Sequence, residues 1–389
     1  MKRALMFASV ASMIQQFNME NIRLLLDLGY TVDVACNMEH GSTITAEKIA
    51  AMKQQLADMG VEVIHIPVPR KITAIGDIWK ATQLTKSLMD HRSYDLIHCH
   101  SPIGGMICRL ANRMSNHYRS TRMIYTAHGF HFFHGAPLLN WLLFYPAEAF
   151  CAFFTDTLIT INREDYAAAQ KFKLKKGGSV TYVPGIGVNL DRLAILQPDR
   201  EKLCRELNIP QECTLMLSVG ELNDNKNQQV VVEALQQLPA NYHYIICGQG
   251  DLGNKLEALA NDLGCAEHLH ILGYRDDVIS IMKSCDLFIF PSKREGLSVA
   301  LMEAMACGLP CCASKIRGNC DLLSHGGGVL LNLNTFTDDL VKHLREIPDL
   351  AKYKTICKTA NEERIAGFSR ACVHELMRSI YAGSDDEQN

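Results

Sequence analysis

Short runs of β-branched and apolar residues recur along this chain, and each is followed by a longer stretch of helical periodicity. A strand covered on both faces reads as a continuous apolar run, and parallel pairing needs a crossover long enough for a helix. The alternation therefore commits the chain to parallel sheets layered by helices. In the first half the runs are ALMFASV, TVDVAC, VEVIHIPV, DLIHCH, RMIYTAH, DTLITIN and VTYVPG; in the second they are TLMLSVG, YHYIICGQG, LHILGY, LFIFPS, PCCAS and GGVLL. Two such sets, on 389 residues, imply two doubly wound α/β domains, each with its own core. Periodicity breaks in VPGIGVNLDRLAILQPDREKL around Pro184, Gly185 and Gly187 and restarts after Pro198. The domains are accordingly placed at 1–190 and 191–367, and 368–389 holds a last helix, SRACVHELMRSIY, and a tail.

Composition narrows the class. Apolar residues at 48% and charged residues at 21%, without repetitive or polar tracts, exclude a disordered chain apart from the final GSDDEQN. The net charge of -3 conceals a positive first half and a negative second half. The positive excess is densest between Arg70 and Arg122, where only Asp77, Asp90 and Asp95 oppose the basic residues. That bias suits an anionic membrane surface or a phosphorylated acceptor; an ordinary solvated surface is the other reading. The 15 cysteines are odd in number, lie mostly in apolar surroundings and show no C-x-x-C spacing, which points to reduced thiols in a cytosol. The N-terminal MKRALMFASVASMIQQF reads as a first strand rather than a signal peptide. PLLNWLLFYPAEAFCAFF, 137–154, is aromatic-rich but interrupted by Asn140, Pro146 and Glu148, so no spanning helix is expected there. A buried helix is the commoner explanation of such a segment, and a helix lying in a membrane interface is the alternative.

Ligands of open parallel sheets collect beyond the carboxyl ends of the strands, so the residues that follow each run matter most. In PSKREGLSVALMEAMACGLP, Gly296 permits a turn, Ser298 is an N-cap, VALMEAMAC is a helix, and Gly308 with Pro310 ends it. The start of that helix offers amides to a phosphate, Glu303 suits vicinal ribose hydroxyls, and Glu295 can reach a sugar hydroxyl. GELNDNKN places Lys226 between a strand and a helix, where an ammonium can neutralise a diphosphate. CGQGDLGNK contains Gly248, Gly250 and Gly253 in a G-x-G-x-x-G pattern. That pattern normally opens the first βαβ unit of a dinucleotide domain, whereas here it follows a second strand, so it is read as a tight turn near a nucleotide. In GYRDD, Arg275 can flank a base or ribose, and HGFHFFH puts His128 just beyond a strand. Each of these residues, taken singly, is as readily a surface charge, a turn or a structural histidine.

Taken in order, VGELN with KN, CGQGDLGNKLEALANDLG, LGYRDDV, FPSKREGLSVALMEAMACGLP and ASKIRGNCDLL resemble the donor-binding domain of the retaining family 4 glycosyltransferases. YTAHGFHFFHGAPLLNWLLFYPAE resembles the acceptor domain of their capsule and exopolysaccharide members. The resemblance implies the GT-B fold, two Rossmann-like domains facing across a cleft, with the last helix crossing back to the first. It also explains the paired glutamates, which match the E-x7-E signature. It implies that Glu303 binds the ribose and Glu295 contacts the donor sugar. The amides of Gly296, Leu297 and Ser298 hold the diphosphate with Lys226, Gly220, Gly248 and Gly250 line the donor loops, and Arg275 flanks the base. His128, with Glu295, is assigned to catalysis; Ser12, Gln15, His100 and His131 are placed on the acceptor side. Two positions depart from the pattern: Glu221 stands where many relatives have arginine, and SMIQQF stands where many have a Gly-Gly loop.

The implied reaction is transfer of a hexose or N-acetylhexosamine from a UDP-sugar, with retention, to a glycan or polyprenyl-diphosphate-linked acceptor in cell-surface polysaccharide synthesis. Negative charge develops on the leaving diphosphate and positive charge on the sugar, and the helix amides with Lys226 answer the first. The chain has no Asp-x-Asp, so no metal and no cofactor beyond the donor are expected. No nucleic-acid partner is expected, and the location is cytoplasmic or peripheral on the inner membrane face. A nucleotide-sugar epimerase of the same fold and an inactive UDP-sugar or membrane-binding protein are the alternatives. Donor sugar, acceptor and linkage rest on a few hydroxyl contacts that the sequence does not display.

Overall fold

The computed structural model describes residues 2–40 and 44–383, so the acidic end of the expected tail lies outside the described residues. The first seven apolar runs form β1 (Arg3–Val10), β2 (Thr31–Asn37), β3 (Glu62–His65), β4 (Leu96–His100), β5 (Arg122–Ala127), β6 (Thr157–Thr160) and β7 (Ser179–Tyr182). The other six form β8 (Thr214–Val219), β9 (Tyr242–Cys247), β10 (Leu269–Gly273), β11 (Leu287–Phe290), β12 (Cys311–Ser314) and β13 (Gly328–Leu331). Two sheets result, in the orders β3-β2-β1-β4-β5-β6-β7 and β10-β9-β8-β11-β12-β13, and every pairing is parallel. Each order reverses once, between β1 and β4 and between β8 and β11. Loops leaving the two strands at a reversal turn to opposite faces of the sheet and open a crevice at its carboxyl edge.

The chain forms two compact units, Met1–Gly185 with Val373–Asn389, and Ile186–Cys372. The sequence reading placed the divisions at 190/191 and 367/368. The difference has a local cause: Val188 bridges Ser369 in parallel, and a Cβ on Gly187 would stand 2.8 Å from the Arg370 backbone. Both strands of chain around this bridge therefore stay with the second unit. From Val373 the last helix, Arg370–Ala382, gives Val373, Met377, Ile380 and Tyr381 to the core of the first unit.

In that first unit β1 shows the period of two directly. Ala4, Met6 and Ala8 enter the core on one face of the sheet, beside Ile380 and Tyr381, while Leu5 and Phe7 enter the core on the other, beside Ile107 and Tyr125. In the second unit Met216, Ile246, Leu287 and Ile289 form the equivalent layer. The expectation of a buried helix at 137–154 is corrected. Helix Leu138–Ala152 packs Phe144, Tyr145, Cys151 and Ala152 inward, but Leu138 is 73% and Leu142 64% exposed. Its apolar residues surround the helix rather than forming one stripe, so a single sheet face cannot cover them.

The end of β4 is strained. Helix Pro102–Met114 lies so close to the sheet that a Cβ on Gly105 would stand 2.4 Å from the Tyr125 ring, and one on Gly104 2.7 Å from Ser9 Oγ. The turn into it falls on Ser101, at φ 71° and ψ 150°, a region that essentially only glycine populates. Ser101→Gly is expected to raise the unfolding free energy by about 1 kcal/mol, the strain released exceeding the added chain entropy. Equilibrium denaturation measures this, and a loss of stability would contradict the strain.

Candidate functional site

At the reversal in the second unit, the loop after β8 and the loop after β11 are stitched together. Lys293 N donates to Asn225 O at 2.8 Å, Asn225 Nδ2 to Arg294 O at 3.0 Å, and Asn227 Nδ2 to Pro291 O at 3.3 Å. Across this seam Lys226 Nζ donates to Glu295 Oε1 at 2.7 Å and lies 4.9 Å from the centroid of the Phe290 ring. The two residues singled out from separate motifs thus form one partly buried ion pair. Beyond it Ser298 caps helix Val299–Ala306, its Oγ accepting from Leu301 N at 3.3 Å. Arg317 Nε donates to Glu295 O at 3.1 Å, and Gly318, at φ 72°, lets its backbone pass within a Cβ's reach of Gly296 O. The amides of 296–298 are thereby held beside a lysine. Glu221 is exposed, as repulsion from an anion would require.

Two glycines of the G-x-G-x-x-G stretch lie against the backbone of the loop after β8. A Cβ on Gly248 would stand 1.8 Å from Gly220 O, and one on Gly250 2.3 Å from Leu222 O. They allow the β9 loop to press against the β8 loop, and so shape the floor of the site through their neighbour.

Glu303 and Arg275 meet in a cavity of about 250 Å³, lined also by Asn189, Arg192, Tyr274 and Arg370. Burial pushes the Glu303 carboxyl above its ordinary value, while the positive charges of Arg192 and Arg370 draw it part of the way back. Arg275 is anchored by Asp277 and Glu206, which raise its pKa and fix its guanidinium at the rim. Arg192, Arg317, Arg370 and Tyr274 were not singled out from the sequence; Tyr274 and Arg317 lie within the LGYRDDV and ASKIRGNCDLL motifs, whereas Arg192 and Arg370 arrive from elements far apart in the chain.

In the first unit His128 follows β5 and lies against the Phe17 ring, centroids 5.5 Å apart. Its Nε2 is 3.1 Å from His100 Nδ1, and His100 Nε2 is 3.3 Å from Met6 Sδ. His98 lies against His100, ring centroids 4.1 Å apart and planes tilted by 45°, and is pinned by Tyr381 Oη and Thr126 Oγ1, each at 2.7 Å. Burial pushes His98 down to about 3 and His128 to about 4, and holds His100 well below the ordinary imidazole value, with neighbouring imidazoles adding to the effect for His98 and His100. On the acceptor side His100 is 1% exposed, beneath His128, and Ser12 is 5% exposed, on helix Ala11–Phe17, which takes in the SMIQQF stretch. Gln15 on that helix is half-buried, and His131 stacks on Phe144 at 4.6 Å. No group of three or more His, Cys, Asp or Glu side chains suited to a metal ion occurs among the described residues.

The Glu303 shift carries a stability signature. A carboxyl whose pKa is higher in the folded state contributes stability below its unfolded value, near 4.5, and loses it as pH rises through the folded value. Glu303→Gln removes the charge, so its melting temperature should exceed the parent's at about pH 7 and match it at about pH 4. A variant less stable than the parent at neutral pH would contradict the burial of that charge.

Two family models match this chain: "Glycosyl transferase 4-like domain" over residues 14–184 and "Glycosyl transferases group 1" over residues 199–364. The putative glycosyltransferase EpsD of Bacillus subtilis is 31% identical over 393 residues, covering 99% of this chain and 97% of the relative. The Escherichia coli UDP-Gal:alpha-D-GlcNAc-diphosphoundecaprenol alpha-1,3-galactosyltransferase is 27% identical, covering 95% and 93%. Among solved structures, Anabaena HepE in complex with UDP and glucose superposes with a TM-score of 0.74 at 19% identity, covering 98% of this chain and 100% of that one. A glycosyltransferase from Rickettsia africae gives 0.75 at 18% identity, with full coverage of both.

Proposed function

The chain belongs to the family 4 glycosyltransferases and has their GT-B fold, and from this we propose that it moves a hexose or N-acetylhexosamine from a UDP-sugar to a polyprenyl-diphosphate-linked or glycan acceptor, with retention, in cell-surface polysaccharide synthesis. The donor assignment is supported by the UDP bound in the HepE neighbour, and the acceptor by the diphosphoundecaprenol named for the E. coli relative. The observation that carries the reading is the Lys226 to Glu295 pair at the β8/β11 reversal, beside the capped helix Val299–Ala306.

An arriving diphosphate competes with Glu295 for the Lys226 ammonium, and its charge is shared with the amides of 296–298. Glu295, released, accepts hydrogen bonds from donor-sugar hydroxyls, and Glu303 accepts from the ribose. As the bond between the anomeric carbon and the diphosphate breaks, Lys226 and the amides hold the growing negative charge without a divalent ion. The departing phosphate takes the proton of the acceptor hydroxyl on the same face of the sugar. Paired measurements with UDP and uridine separate the roles. Lys226→Ala should weaken UDP about tenfold or more while leaving uridine unchanged, and Glu303→Gln should weaken both alike. Equal losses for UDP and uridine in Lys226→Ala would remove the diphosphate from that lysine. Release of UDP without any acceptor, accompanied by isomerised sugar, would instead make the protein an epimerase.

A lipid-linked acceptor calls for a membrane contact, and the first unit has a surface for one. Leu138, Leu139 and Leu142 are exposed on one helix, and Ile75 and Trp79 on helix Ile75–His91, with exposed Lys71 and Lys80 close by in sequence. No helix of the described residues is long and apolar enough to cross a bilayer, so the contact proposed is peripheral, on the inner leaflet. The protein should sediment with anionic vesicles at low salt, and the double variant Leu139→Ser, Leu142→Ser should stay in the supernatant. Equal sedimentation of the two would move the contact elsewhere.

A further inference from the structure

We infer that Met6, acting through His100, holds His128 in a single tautomer, with the proton on Nε2 and a lone pair on Nδ1. The inference rests on geometry. Met6 Sδ carries no hydrogen, so the 3.3 Å contact from His100 Nε2 is favourable only when that nitrogen is protonated and donates to sulfur. A neutral imidazole has one N–H, which leaves His100 Nδ1 as an acceptor. At 3.1 Å the proton between the rings must then sit on His128 Nε2, and His128 Nδ1 is left as an acceptor. The reverse arrangement, with both rings turned to the other tautomer, would set the lone pair of His100 Nε2 against those of the sulfur.

His100 cannot escape the choice by rotating. It is fully enclosed, and His98 lies against it at 4.1 Å, itself fixed at both ring nitrogens by Tyr381 and Thr126. Met6 lies in the core, with no exposure. The low pKa values of the three rings agree with an uncharged stack, in which a tautomer is defined. Among the described residues His128 Nδ1 has no hydrogen-bond partner, so it is the nitrogen available to a ligand.

The consequence is a constraint on substrate chemistry. A ring that presents a lone pair accepts from a hydroxyl and repels a phosphate or carboxylate oxygen. His128 is therefore matched to a sugar hydroxyl, of donor or acceptor, and Met6 and His100 are positioning residues for that contact. This consequence, unlike the tautomer, rests on the catalytic reading of His128.

The test is spectroscopic. The full chain is labelled with 15N-histidine, His100→Gln and His128→Gln identify the signals, and long-range nitrogen-proton correlations report which nitrogen carries hydrogen. Near neutral pH, His100 and His128 should both show a protonated Nε2 and a bare Nδ1. Met6→Leu, which keeps the volume and removes the acceptor, should turn both into tautomer mixtures and lower kcat/KM up to about tenfold. A protonated Nδ1 on His128 in the parent protein, or unchanged signals in Met6→Leu, would overturn the inference; should that variant not fold, the parent spectrum alone decides. If the signals are as expected but His128→Ala retains full turnover, the tautomer stands and the catalytic reading of His128 fails.

Discussion

Everything proposed for the second unit depends on one ion pair, between Lys226 and Glu295, at the place where the strand order reverses. A parallel sheet creates the opportunity without regard to side chains, since neighbouring strands that feed helices on opposite faces leave a crevice at their carboxyl ends. The sequence then fills that crevice with opposite charges on the two loops. Partly buried and 2.7 Å apart, the pair ties the lysine of one loop to the carboxylate of the other. The same pairing makes the site responsive. In the proposed reaction a diphosphate would offer Lys226 more charge than one carboxylate, so its binding would exchange partners rather than order a free side chain.

The first unit solves a different problem by a different device. Three imidazoles lie in a row near the ends of β4 and β5, and burial keeps them neutral. A neutral ring can orient a hydroxyl at neutral pH without attracting the anionic part of a nucleotide. The strain at Ser101, immediately after His100, and the close seat of helix Pro102–Met114 on Tyr125 hold that edge of the sheet in place. The last helix contributes as well, since Tyr381 reaches His98, so that residues near the chain's end stabilise the row through a hydrogen bond rather than through apolar contact alone.

Much of this could be read from the residues. The thirteen strands of the described residues all formed where apolar runs stood, and the central ones, buried on both faces, leave a continuous mark in sequence. Ser298, Gly308 and the paired glutamates fell into place for the same local reasons, capping, left-handed turns and helical spacing. What stayed hidden was non-local. Arg192 and Arg370 come from opposite ends of the second unit to one cavity, and no motif joins them. His100 looks like a strand-end ligand until the neighbouring strand covers it, and the alternation of β1 gives no sign that Met6 touches it. Helix Leu138–Ala152 has the composition of a core element, yet the sheet covers only one side of it. Gly248 and Gly250 read as a tight turn near a nucleotide, and the sequence gives no sign of the close approach they permit to the neighbouring loop.

A crystal structure of the protein with UDP tests the central claim most directly. The account requires the diphosphate on Lys226 and the amides of Gly296, Leu297 and Ser298, the ribose on Glu303, and Glu295 parted from the lysine that holds it in the unliganded chain. UDP seated at another edge of the sheet, or bound with the Lys226 to Glu295 contact still at 2.7 Å, would contradict it.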